Sequence, residues 1–214
     1  VQDIEKFIGG FRRFQHKYFG EHSPNLFDEL KRGQHPKTLV IGCSDSRVDP
    51  ALLTDSDPGD LFVVRNIANL VPPYEVDGAF HGVSSAIEYA VCELQVRQIV
   101  ILGHSGCGGI SALLKGYQPK TEANFVGRWV QIAQSARDQV VAELAHKTPE
   151  QQLRACEMAS IIVSLDNLMT FPFIAERVEA GQLSLIGWYF DIQKGALYDF
   201  GQADHTFKEL VTAL

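Results

Sequence analysis

Apolar residues recur along this chain in two rhythms, and the changes between them mark its elements. Ile4, Phe7, Ile8, Phe11, Phe14 and Tyr18 keep helical spacing and predict an amphipathic first helix. Ser23-Pro24 supplies an N-cap and a first-turn proline for a second helix, which ends at Gly33. The phenylalanine-rich face of the first helix needs a cover, and its own core or a partner subunit would serve equally well. Residues 38–42 are a continuous apolar run of strand length that leads straight into Cys43. Residues 61–64 form a second short strand, ending at Arg65-Asn66. After a loop marked by Pro72-Pro73, Val83, Ala86, Ile87, Ala90, Val91 and Leu94 share one helical face. Residues 99–103 are a third buried strand, leading straight into His104, and Gly106, Gly108 and Gly109 open a helix that runs to about Leu114. From about 121 to 180 the pattern is helical, broken at Pro149 and Pro172. Residues 183–192 alternate like a strand, Gln193-Lys194-Gly195 is a turn, and 197–200 pair back as a hairpin.

Strands alternating with helices in the first half predict an α/β fold with a mostly parallel central sheet flanked by helices. An N-terminal helical arm over residues 1–33 and a C-terminal antiparallel hairpin or edge strand complete the expectation of one domain over residues 1–214. At 45% apolar and 21% charged residues, the chain has enough to bury for a sizeable core. Nineteen Lys and Arg against 26 Asp and Glu leave a net charge of −7, which argues against a nucleic-acid partner, since that needs a basic footprint. No apolar run approaches the roughly 18 residues of a membrane span, so no membrane partner is expected. The opening residues lack the basic start and apolar stretch of a signal peptide. Four cysteines in 214 residues are too few for a disulfide scaffold. A reducing compartment is expected, the cytoplasm first, or an organelle if a transit segment has been removed.

The chemistry gathers at the strand ends. Two buried strands finish in glycine followed by a metal-capable residue, Gly42-Cys43 and Gly103-His104. In open parallel sheets, ligands bind in the crevice beyond the carboxyl ends of the strands. Cys107 lies three residues past His104, in a glycine-rich turn that lets the backbone fold back. Two thiolates and an imidazole are a zinc-type set, and three ligands rather than four leave a position open, as catalytic sites do. Asp45 is a possible fourth ligand, and whether it touches the metal decides whether the site is open or shut. Asp45 and Arg47, two residues apart in a loop, can also pair, the guanidinium holding the carboxylate ionised. Cys92 and Cys156 lie within helical patterns and read as core. A thiol redox protein would carry C-x-x-C, which this chain lacks.

The segments Cys43-Ser44-Asp45-Ser46-Arg47-Val48 and His104-Ser105-Gly106-Cys107-Gly108-Gly109 resemble the two metal motifs of the β-class carbonic anhydrases. Residues 62–69, 71–74 and 87–91 add to the match, which runs from about Gly33 to about Phe200 and is nearest in character to the plant-like branch. The resemblance implies one zinc ion per chain on Cys43, His104 and Cys107, with water or hydroxide in the fourth place. It implies Asp45 and Arg47 as the catalytic dyad that orients the hydroxide, and reversible hydration of carbon dioxide to bicarbonate and a proton as the reaction. It assigns Gln34, Phe62, Ile67 and Tyr89 to substrate binding, with the Gly108 backbone N–H beside the substrate. In that branch the Gln, Phe and Tyr come from the neighbouring subunit, so a homodimer or larger homo-oligomer, commonly a dimer of dimers, is expected. Relatives with a bicarbonate-gated shut state carry Trp where this chain has Val40 and Tyr where it has Phe190; only Arg65 of that set remains. An open site with Asp45 off the metal follows. Hydrolysis of carbonyl sulfide or carbon disulfide on the same scaffold, and non-catalytic zinc binding, are the competing readings.

Overall fold

The structure, a computed structural model, describes residues 2–20, 26–77 and 80–211. The expected cap and proline at Ser23-Pro24 lie outside them. Strands β1 (Thr38–Cys43), β2 (Leu61–Asn66), β3 (Gln98–His104) and β4 (Ser184–Asp191) run parallel. Strands β5 (Ala196–Gly201) and β6 (Thr206–Val211) then return antiparallel. The order across the sheet is β2-β1-β3-β4-β5-β6. The expected α/β fold, with a mostly parallel sheet and an antiparallel C-terminal edge, is what forms. β1 and β3 read as unbroken apolar runs because both faces of a central parallel strand are covered. After β2 the chain crosses to the other side of β1, so the order reverses between β1 and β3, which is where open α/β sheets bind ligands.

The helices are α1 (Gln2–Phe19), α2 (Leu26–Leu30), α3 (Pro50–Thr54), α4 (Gly82–Glu88), α5 (Gly108–Lys115), α6 (Phe125–Val130), α7 (Gln134–Glu143), α8 (Pro149–Met169) and α9 (Pro172–Glu179). Pro149 and Pro172 both occupy first turns, where a missing N–H costs nothing. Thr148 closes a capping box with Gln151 at the start of α8. One core cluster joins Leu39, Ile41, Ile99 and Ile101 on the sheet to Ile161, Leu165 and Leu168 of α8. A second cluster surrounds the carboxyl ends of β1 and β3 and contains Cys43, Cys107, Ile110, Val140 and Cys156.

Several elements depart from the pattern reading. The helix expected through Leu94 widens after Glu88 into a turn over Tyr89–Glu93, where Leu94 N–H bonds back to the Tyr89 carbonyl. The helical stretch 121–180 breaks at Pro149 and Pro172 as expected, but its first part divides further, into α6 and α7 on either side of a tight 3₁₀ turn over Gln131–Ala133. The second helix stops at Leu30, before Gly33, as Arg32 and Gly33 tighten onto the carbonyls three residues back. α3 and β6 carry too short or too polar a pattern to be read from periodicity.

Contacts divide the chain at Pro36 into two compact units. In the first, Phe14 and Tyr18 of α1 meet Phe27 of α2 edge to face, with ring centroids 5.6 and 5.5 Å apart. Ile4, Phe7, Ile8 and Phe11 remain exposed. Part of the aromatic face of α1 is therefore satisfied within its own unit, and part is not. The second unit holds the whole sheet. Among the described residues no single helix is long and apolar enough to cross a membrane.

Candidate metal centre

β1 and β3 deliver their last residues to the same edge. In register, Gly42 lies beside Leu102, so Cys43 and His104 emerge at neighbouring positions. Gly106 takes φ +68°, a conformation that only glycine adopts without strain, and this reverses the chain so that Cys107 returns to the same point. The donor atoms of Cys43, His104 and Cys107 all lie within 4.8 Å of one another, and all three residues are buried. Gly109 allows the first turn of α5 to approach the 67–69 turn: a Cβ there would fall 2.8 Å from Ile67 Cγ2 and 2.9 Å from Ala68 Cβ.

These residues fit a zinc ion. His104 Nδ1 donates to the Ser105 carbonyl at 3.0 Å, which fixes the tautomer and leaves Nε2 as an acceptor. Nε2 itself is buried and has no hydrogen-bond partner among the described residues, a costly state for an imidazole unless something takes its lone pair. The two sulfurs compete for a single charge. A hydrogen bond from the Cys107 thiol draws the Cys43 thiol below its ordinary range, and the adjoining Cys43 sulfur with burial drives Cys107 up. Two thiolates this close call for a shared cation. Two sulfurs and one imidazole nitrogen are three ligands of a tetrahedral zinc shell, with one position left over.

The carboxylate of Asp45 is gripped by Arg47. Oδ1 accepts from the Arg47 backbone N–H at 3.0 Å and from Nε at 2.9 Å, and Oδ2 accepts from a terminal guanidinium nitrogen at 2.7 Å. These bonds hold its carboxyl well below the usual carboxylate range. The same nitrogen of Arg47 reaches the Gly106 carbonyl at 3.1 Å and so ties the loop after β1 to the loop after β3. Asp45 Oδ2 lies 4.0 Å from His104 Nε2, which puts the carboxylate at the rim of the triad.

Arg65, expected only as a remnant of a regulatory set, is fully engaged. Its guanidinium donates to the Cys43 carbonyl at 2.9 Å, to the Asp45 carbonyl at 2.7 Å and to Asp49 Oδ2 at 2.9 Å. The other oxygen of Asp49 caps α3 through the N–H groups of Ala51 and Leu52. Arg65 thus clamps the loop that carries Asp45 between β2 and α3.

Behind the triad stands a residue that pattern reading missed. Glu157 of α8 is 3% exposed; its Oε1 accepts the Cys107 backbone N–H at 2.9 Å, and its Oε2 accepts the Tyr189 hydroxyl at 2.9 Å. Burial raises its carboxyl above the ordinary range, and these bonds offset part of that. A signal was available: Glu157 keeps step with Ser160, Ile161, Ser164, Leu165 and Leu168 on the buried face of α8. A charge in register with a core face is the kind of exception that marks a site.

The expected substrate residues separate into two groups. Ile67 and Gly108 stand next to the triad, Gly108 directly after Cys107 and Ile67 against Gly109. Phe62 and Tyr89 lie together, ring centroids 5.9 Å apart, but away from their own chain's triad. Phe62 pairs with Leu39, four residues short of Cys43, or about 13 Å along the strand. Gln34 is exposed and belongs to the N-terminal unit.

Comparison with known proteins agrees with this geometry. A sequence model of the family described as carbonic anhydrase matches residues 38–197. A carbonic anhydrase of Synechocystis sp. is 38% identical over 204 residues, which is 95% of this chain and 73% of that protein. One of Synechococcus elongatus is 36% identical over 192 residues, 90% of this chain and 70% of that protein. Among solved structures, the β-carbonic anhydrase CcaA superposes with a TM-score of 0.89 at 38% identity, covering 97% of this chain and 99% of that one. A structure of tetrameric β-carbonic anhydrases from Sordaria macrospora superposes with a TM-score of 0.82 at 29% identity, covering 94% and 98%. A cysteine–histidine–cysteine pocket at the switch point of a parallel sheet and a family match that spans the whole of that pocket lead to one assignment: the chain belongs to the β-class carbonic anhydrases.

Proposed function

We propose that this chain catalyses the reversible hydration of carbon dioxide to bicarbonate and a proton, at one zinc ion held by Cys43, His104 and Cys107. One observation carries the reading: the partnerless buried Nε2 of His104 converges with two buried sulfurs beside a carboxylate kept ionised by a guanidinium. Zinc, when bound, supplies a Lewis acid that makes hydroxide available near neutral pH, whereas bulk water has a pKa of about 15.7.

The remaining work falls to the chain. Asp45 is ionised and so can only accept hydrogen bonds. Oδ1 already takes two donors from Arg47, while Oδ2 takes one and keeps a free lone pair. A reacting water that gives its hydrogen to Oδ2 is turned so that its own lone pair faces the substrate. Arg47 keeps the carboxylate from taking that proton outright. Carbon dioxide is apolar and needs an apolar surface rather than a charged clamp, and Ile67, packed against Gly109, offers one.

Assembly as a homo-oligomer is supported by the Sordaria relatives, which are described as tetrameric. The finer reading is that a neighbouring copy lends Phe62, Tyr89 and Gln34 to each site, and that two such dimers associate. The placement of Phe62 and Tyr89 away from their own triad and their partial exposure favour it. All four cysteines are free, which suits a reducing compartment such as the cytoplasm.

Stopped-flow hydration of carbon dioxide by zinc-replete protein tests the reading, with Cys43→Ala as control. The wild-type protein is expected to turn over and the variant to fall to the uncatalysed rate with its zinc lost. Full turnover by Cys43→Ala would refute the site, and a monomer with full turnover would refute the shared pocket.

A further inference from the structure

Among the described residues two carboxylates are buried, and they are satisfied differently. Asp191 meets Arg154 at 2.6 Å. Among the described residues Glu157 meets no cation: its bonds are to an amide N–H and a phenol, both neutral donors. A buried carboxylate without a counter-charge is destabilising on its own. Its position gives the reason for it. The amide it holds is that of Cys107, and Tyr189, which holds its other oxygen, stands next to Gly103 in the register of β3 and β4. The carboxylate therefore sits directly behind two of the three zinc-binding residues.

We infer that Glu157 is a positioning residue of the metal centre: it holds the Cys107 backbone from inside the core, aims the Cys107 sulfur, and sets a fixed negative charge behind the zinc. This rests on the zinc reading above and adds a residue to it. Two thiolates cancel the formal charge of the dication, so a carboxylate one residue deeper tightens metal binding while leaving the metal-free protein with an uncompensated charge. Glu157 thus has opposite effects on the two forms, which a merely structural residue does not.

Glu157→Gln separates these effects, because an amide oxygen still accepts from Cys107 N–H and its NH2 group can donate to the Tyr189 oxygen, while the charge is gone. Zinc affinity is measured by chelator competition with zinc alone as the probe, and the stability of the zinc-free protein by denaturant unfolding. The expected result is a zinc Kd raised about 10- to 100-fold, with the metal-free variant at least as stable as wild type. Cobalt-loaded protein should keep its thiolate charge-transfer band in Glu157→Gln and lose intensity in Glu157→Ala, where nothing holds the Cys107 amide. Tyr189→Phe keeps both the charge and the Cys107 bond, and should change zinc Kd less than Glu157→Gln does. If Glu157→Ala does not fold, the glutamine and phenylalanine variants carry the test. Unchanged zinc affinity in Glu157→Gln, or affinity and metal-free stability falling together, would overturn the inference. Wild-type protein that binds no zinc would instead overturn the reading it rests on.

Discussion

The loop after β1 and the turn after β3 bring their cysteines to one point by opposite means. Cys43 is held from the front, where the largely buried Arg65 takes its carbonyl and the half-exposed Arg47 ties the loop to Gly106. Cys107 is held from behind, where a buried carboxylate takes its amide and α8 seals the space. The front is made of guanidinium contacts at the mouth of the site, with Arg47 half in solvent, and such contacts contribute little stability where water competes for them. The rear is made of polar groups in the core, where leaving one unpaired costs about 1–3 kcal/mol. Damage to the front should therefore appear in turnover, and damage to the rear in metal affinity and stability.

The sharpest way to break that division is at Asp45. Asp45→Asn removes the acceptor that orients the water, and Arg47→Ala frees the carboxylate from its fork. Each should lower kcat/KM by about 10²- to 10³-fold, the scale of a positioned proton-handling group. Zinc content by elemental analysis should stay at one per chain, and stability should shift by less than about 1 kcal/mol. Loss of zinc in either variant would show that front and rear are not separable.

A smaller effect is expected at Arg65. Gln in its place can make at most part of three bonds, so the loop that carries Asp45 gains freedom without losing a reacting group. Arg65→Gln should reduce kcat/KM about 10-fold with zinc retained, the order seen when a residue behind the reacting groups is lost. An unchanged rate would mean that the Arg47–Gly106 contact suffices to hold the loop.

The two sides also differ in how far the sequence discloses them. Cys43, His104 and Asp45–Arg47 follow continuous apolar runs, and a buried parallel strand ending in glycine and a ligand is a local pattern with a local meaning. Glu157 lies 50 residues from the amide it holds, in a helix whose buried face is otherwise apolar and small. Its partner is set by how α8 crosses the sheet, and no local period encodes that. Arg65 shows the same limit from the other direction. The resemblance supplied a role for it, yet which carbonyls it reaches depends on the β1–β2 register and on α3, a five-residue helix too short to show a period. The turn after Glu88 is likewise decided by tertiary fit, since the apolar spacing across it suits a plain helix equally well.

The smallest expected effect lies furthest behind the site, at Arg154 and Asp191. Arg154 spans the rear of β4, bonding Asp191 Oδ2 at 2.6 Å with its guanidinium carbon 5.0 Å from the Tyr189 ring centroid. Burial alone would raise the Asp191 carboxyl, but the Arg154 bond and the backbone N–H groups of Lys194 and Gln193 outweigh it, and the net displacement is downward. A carboxyl lowered in the folded state binds its proton more readily once unfolded. Its contribution is therefore complete above the unfolded value of about 3.9 and fades as pH falls through that value toward the folded one. Arg154 is partly exposed, so Arg154→Met should cost only about 1–2 kcal/mol at pH 7, with turnover unchanged. Urea unfolding of Asp191→Asn against wild type should give a difference that is constant from pH 7 to about 5 and shrinks below about 4. Protonation of the zinc-binding thiolates affects both proteins alike and subtracts out of that difference. A gap that widens on acidification would mean that Asp191 is held protonated in the fold, and that the rear wall is secured by packing around Tyr189 rather than by charge.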